Sequence, residues 1–129
     1  SIKPTATTGA PLLVRYGATI VAGDPLYLDV ADNKYKLADA NDTSAKATVR
    51  GLAFSPGSDG DYGYLLRTGS IVMVGSTLAV GTKYVVGTTA GTLVPASDLT
   101  TNDYVSEVGT AATSTQLDMD INATNIQHA

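Results

Sequence analysis

The chain has no cysteine and no tryptophan, one phenylalanine, one histidine and one glutamate in 129 residues. Each scarcity removes a class of chemistry. Without cysteine there is no disulfide, no thiolate metal site and no thiol nucleophile. The single histidine, His128, lies one residue from the end, where it is expected to be an unengaged tail residue and not a catalytic base. Acid is supplied by eleven aspartates against the one Glu107, and aspartate favours turns where glutamate favours helices. Lysine and arginine number eight and never cluster, and the net charge is −4. That balance argues against a nucleic-acid partner, which needs a basic stripe. No apolar run approaches the roughly 20 residues of a membrane helix, so no membrane partner is expected. The opening SIKPTATTGAP has no signal-peptide apolar stretch, and a start at Ser is expected for a cytoplasmic product that has lost its Met.

What is present is strand and turn. Seven tyrosines supply nearly all the aromatic area, and thirteen glycines punctuate short apolar runs. LYLDV (26–30) alternates Leu26, Leu28 and Val30 against Tyr27 and Asp29, and TQLDMDIN (115–122) alternates Leu117, Met119 and Ile121 against Asp118 and Asp120. Period two marks a half-buried strand. Further strands are expected at 12–16, 34–38, 48–54, 64–69, 70–75, 83–86, 92–96 and 104–111. Residues 39–47 suit a loop or one short helical turn, 97–103 the start of a helical turn, and 55–63 a loop. No window shows a helical period. Strands about ten residues apart with turn signals between them predict one all-β domain, a compact antiparallel barrel or sandwich. Residues 12–122 form this domain. Residues 1–11, with Pro4 and Pro11, are expected to be an extended N-terminal arm, and 123–129 a flexible tail.

The order of elements repeats. Gly23, Tyr27 in LYLDV, a turn and LADAND (37–42) match Gly81, Tyr84 in KYVVG, a turn and LVPASD (93–98). Each set precedes a strand with Val, Gly and Ala: Val49, Gly51 and Ala53, then Val108, Gly109 and Ala111. The polar residues of VAGDPLYLDVADNKYKLADAND (21–42) are not kept in the second copy, whereas the turns and strands are. The expectation is two related hairpin-plus-strand halves, with those aspartates serving the fold.

No catalytic constellation stands out, and the chain is expected not to be an enzyme. Asp59 and Asp61 in SDGDYG (58–63) faintly resemble a calcium loop but lack its distal acid and full ligand series. Turn chemistry accounts for them, and no metal or cofactor is expected. No phosphate-cradling loop occurs. The triplets Asn41-Asp42-Thr43 and Asn122-Ala123-Thr124 fit a glycosylation pattern by coincidence.

Taken in order, GDPLYLD–turn–KYKLAD, TVRGLA, a Gly-rich loop, TGSIVMVGSTLAVGTKYVVGTTAGTLVPASDL and YVSEVGTA resemble the small capsid decoration (cement) proteins of tailed bacteriophages, over about residues 17–121. The resemblance implies a non-enzymatic structural virion protein on the outer capsid surface. It also implies a major capsid protein as partner, a homotrimer, and stabilisation of the expanded shell. On that reading the arm contacts are expected from Ile2, Lys3, Pro4, Thr5, Thr7, Thr8, Pro11 and Leu12. The alternative reading is a receptor- or carbohydrate-binding module of a phage head or tail fibre, with Tyr62 and Tyr64 as surface contacts.

Overall fold

A computed structural model describes residues 3–6, 11–41, 43–74 and 77–128. Strands occupy 51% of the chain and helix 6%, in two antiparallel sheets that pack face to face as a sandwich and not a closed barrel. The strands are β1 (Lys3–Ala6), β2 (Leu12–Arg15), β3 (Pro25–Asp29), β4 (Lys34–Leu37), β5 (Val49–Ala53), β6 (Tyr62–Leu66), β7 (Thr68–Val74), β8 (Lys83–Val86), β9 (Leu93–Pro95), β10 (Tyr104–Ala111) and β11 (Gln116–Gln127). A single helical turn, α1 (Ser44–Ala47), precedes β5, and a 3-10 turn (Ala96–Asp98) precedes β10. One sheet runs β2-β6-β5-β3-β4, the other β1-β7-β11-β10-β8-β9.

The repeat governs this arrangement. Strands β2 to β6 build the first sheet, and β7 to β11 build the second with the same internal order. The correspondence extends to single hydrogen bonds. Gly23 N–H donates to Ala53 O (2.7 Å) and Ala53 N–H to Asp24 O (2.8 Å); Gly81 N–H donates to Ala111 O (2.8 Å) and Ala111 N–H to Thr82 O (3.0 Å). Gly23 and Gly81 both hold positive φ, +94° and +81°, a region that side chains with a Cβ seldom enter. Both middle strands carry a bulge at one place: Leu26 pairs Gly51 while Tyr27 pairs Val49, and Tyr84 pairs Gly109 while Val85 pairs Glu107. The hairpin turns end at Asn33 and Gly91, again both at positive φ. In the first turn Asp29 accepts from Ala31 N–H (3.0 Å) and Asp32 from Lys34 N–H (3.2 Å). These aspartates stabilise the turn by bonding the backbone two residues on.

The main core lies between the sheets. Tyr27, Val49, Leu52 and Leu66 from the first pack with Ile71, Tyr84, Val85, Val108 and Leu117 from the second. A second, smaller core of Val14, Tyr16, Ile20, Leu26, Ala53 and Leu65 fills the concave face of the five-stranded sheet. That sheet curls until its edges touch at one point, where Tyr16 and Tyr35 form a parallel bridge and Gly17 N–H donates to Tyr35 O at 2.8 Å.

Three expectations change. Residues 123–127 are not a free tail. They continue β11 against β10, with Val105 opposite Ile126 and Tyr104 opposite Gln127. A register shift between Val105 and Ser106 absorbs the loss of alternation, and Thr124 Oγ1 donates to Val105 O at 2.7 Å. His128 is tied down as well, its N–H donating to Asp103 O. Second, Lys3–Ala6 are not an unpaired extension but an edge strand, β1, with Thr5 opposite Val72 on β7. The edge tolerates Pro4, which lacks an N–H. Third, the strands expected at 64–69 and 70–75 divide at Arg67, and β6 begins at Tyr62 within the expected loop.

Candidate functional site

The surface that stands out lies on β2 and β6. Leu13 sits opposite Tyr64, and Arg15 opposite Tyr62, so the four side chains share one sheet face. The intervening residues Val14 and Tyr16 point the other way, into the smaller core. On β6 the same face continues to Leu66, which is buried in the main core. Here, beyond the cover of the second sheet, the apolar side chains are uncovered: Leu13 is 57% exposed, Tyr64 47% and Tyr62 67%. The Arg15 guanidinium lies 5.8 Å from the Tyr62 ring centroid, a cation–π distance that steadies the exposed ring. Arg15 has no carboxylate of the described residues within ion-pair reach.

Next to this face a cleft of about 450 Å³ opens where β2 diverges from the β3–β4 hairpin. Val14, Leu28 and Tyr35 line its interior; Arg15 and Tyr62 stand on one rim, Asp32 and Asn33 on the other. The hairpin rim is held by charge. Lys36 Nζ reaches Asp29 at 2.7 Å and Asp32 at 3.0 Å, and Lys34 Nζ reaches Asp59 at 3.3 Å. Those hydrogen bonds hold the Asp29 and Asp32 carboxyls below the usual range and push the Lys36 ammonium up.

Tyr16, in the smaller core, is fully buried. Its hydroxyl donates to Ser55 O at 2.7 Å and reaches Tyr64 O at 3.3 Å. Burial raises the Tyr16 phenol above its ordinary value. The ring occupies space left by two glycines: a Cβ on Gly57 would stand 2.7 Å from the ring, and one on Gly63 would overlap it.

The residues singled out in the sequence divide as follows. Ile2, Thr7 and Thr8 lie outside the described residues. Lys3, Pro4 and Thr5 are in β1, on the six-stranded sheet, whereas the exposed Pro11 leads directly into Leu12 at the start of β2. Tyr62 and Tyr64 are adjacent on one face, but only Tyr62 lines the cleft. Tyr35, its aromatic companion there, was not singled out, because only the curl of the sheet brings it near Tyr62. Asp59 and Asp61 serve the loop and hairpin: Asp59 pairs with Lys34, and Asp61 accepts from Ser58 N–H at 2.9 Å. Asp118 and Asp120 are exposed on the outer face of the six-stranded sheet, and Asp118 accepts from Ser70 Oγ at 2.8 Å. Among the described residues no three His, Asp or Glu side chains gather so as to hold a metal ion, and no helix is long and apolar enough to cross a membrane. No protein-family model matches the chain, and no curated protein matches it.

Proposed function

We propose that this chain is a non-enzymatic structural virion protein that binds the outer surface of a phage capsid and stabilises the expanded shell as a homotrimer. The observation that carries the reading is the uncovered apolar face of Leu13, Tyr62 and Tyr64 on a rigid all-β frame. Adjacent exposed apolar side chains of this kind mark a surface made to be covered by a protein partner. The sequence resemblance to decoration proteins points the same way, and β1 offers a further sheet edge for contact. A protein that prefers the expanded lattice stabilises it by mass action, by RT ln(1 + L/Kd) at each site, where L is its free concentration. Three linked copies raise that occupancy through effective concentration, with no new contact required.

The test is binding to expanded heads of the cognate coat protein, followed by imaging. Regularly spaced density over the whole head and a raised melting temperature of the heads are expected. Removal of residues 1–11 is expected to leave a folded protein that no longer saturates the shell. Absence of binding to expanded heads overturns the proposal. A second reading, the fibre module that recognises carbohydrate, has Tyr35 and Tyr62 together in the cleft in its favour. Specific signal on a glycan array, lost in Tyr62→Ala, would move the assignment to it.

A further inference from the structure

We infer that the free edge of β2 is a strand-acceptor site, and that an extended segment of the coat subunit adds there as a sixth strand. This rests on the capsid reading for the identity of the partner, but the site itself is argued from the fold. The two sheets are built by repeated units in which β2 corresponds to β7. The outer edge of β7 is covered by β1, whereas among the described residues no strand lies on the corresponding edge of β2. Six places therefore exist in each sheet, and one is empty.

The backbone at the empty place is poised for pairing. Tyr16 N–H donates to Asp61 O at 2.8 Å, toward β6, and Gly17 N–H donates to Tyr35 O at 2.8 Å, away from it. Antiparallel pairing alternates the direction of the amides from residue to residue. Within β2 the pairs Val14–Gly63 and Leu12–Leu65 are thus the hydrogen-bonded ones, and the N–H and C=O groups of Leu13 and Arg15 face away from β6. They face the side where the cleft opens. Beyond the Tyr16–Tyr35 bridge the way is shut, so the acceptor is the four residues Leu12–Arg15, the length of β1.

The occupant is constrained too. A second copy of this chain brings one β1 and two equivalent edges, so exchange of arms between copies leaves as many edges bare as before. Exchange of β1 thus fills no further edge, and the occupant assigned here is a segment of another protein. The cleft interior of Val14, Leu28 and Tyr35 calls for an apolar side chain facing inward. The Arg15 guanidinium, with no carboxylate partner among the described residues, calls for an acidic one at the rim. Main-chain pairing supplies affinity in such additions, and the alternate side chains supply selectivity.

Hydrogen exchange on wild-type protein bound to expanded heads tests this directly. The amides of Leu13 and Arg15 are expected to slow by about tenfold or more on binding. Leu13→Pro removes one outward N–H without breaking the β2–β6 ladder. It is expected to weaken head binding by about two- to tenfold more than Leu13→Ala, the range of one hydrogen bond. Binding with both amides unprotected, or equal loss in the two variants, overturns the strand-acceptor site and leaves the capsid reading standing. Failure of the wild-type protein to bind heads overturns both.

Discussion

Tyr16 and Gly63 make a coupled pair whose energetics can be worked in advance. Replacing Tyr16 by Ala empties the smaller core of its one fully buried aromatic ring. Large aromatic truncations of this kind cost about 3–5 kcal/mol. Tyr16→Phe keeps the ring and loses only the hydroxyl that donates to Ser55 O at 2.7 Å, at a cost of about 1 kcal/mol. Gly63→Ala does the opposite: it forces a methyl into the ring, and overpacking costs about 1–3 kcal/mol. The backbone at Gly63 is not in the left-handed region, so contact with the ring is what this variant reports. In the Tyr16→Ala background that contact is gone, and the added methyl should cost nothing or fill part of the void. The double-mutant cycle should therefore show a coupling of about 1–3 kcal/mol. Urea unfolding of the wild type and the four variants gives each term from the midpoint and slope. Folding free energies of about 5–15 kcal/mol leave room for all of them to be measured. If Gly63→Ala costs the same with and without the ring, or if Tyr16→Phe is as harmful as Tyr16→Ala, the account of this core is wrong.

The repeat makes a prediction at its bulges. An alanine at Gly51 would run into Leu66 O, and one at Gly109 into Asp118 O. Because a backbone carbonyl in a ladder cannot rotate aside, each substitution should cost about 2 kcal/mol or more in thermal or urea unfolding. Titration makes another. Burial pushes the Asp24 carboxyl above its ordinary value. Its contribution is therefore full below the unfolded-state value of about 3.9 and lost as pH rises through the folded one. Asp24→Asn, whose amide oxygen can still accept from Val21 N–H, should gain stability over wild type at pH 7 and lose that gain below about pH 3.5. Asp29 and Asp32 have the opposite sign. Their lowered carboxyls favour the fold above the unfolded value, and that contribution disappears as pH falls through the folded one, so Lys36→Met should flatten the acid limb of the stability profile.

Much of the fold was legible because a strand's two faces differ. Leu117, Met119 and Ile121 alternate against aspartates, and β11 pairs as that alternation requires. The hairpin turns were legible because Asp32-Asn33 and Ala90-Gly91 suit the geometry they adopt. The repeat was legible from Gly23 and Gly81 onward, yet it starts earlier, in RYGATIVAG (15–23) and MVGSTLAVG (73–81). That stretch carries no strand alternation, and Ile20 makes only an isolated bridge to Gly57. The strand at 123–127 was not legible because a bulge interrupts its period, and β1 was not, because Pro4 argues against a strand everywhere except at an edge. Of the exposed surface, Tyr62 and Tyr64 could be picked out as aromatics in a loop-flanked run. Leu13 could not, since only the register of β2 on β6 decides that it faces outward while Val14 faces in.

Because each sheet is made from a contiguous half of the chain, the polypeptide passes from one to the other only at Arg67, apart from the arm. As the ribosome extends the chain, the first sheet can close around Tyr16 and Leu65 before the second is synthesised. Tyr27, Val49, Leu52 and Leu66 must then wait, uncovered, for their opposite layer. The arm waits as well: β1 docks on β7, so it is fastened only after every strand of the first sheet has been made.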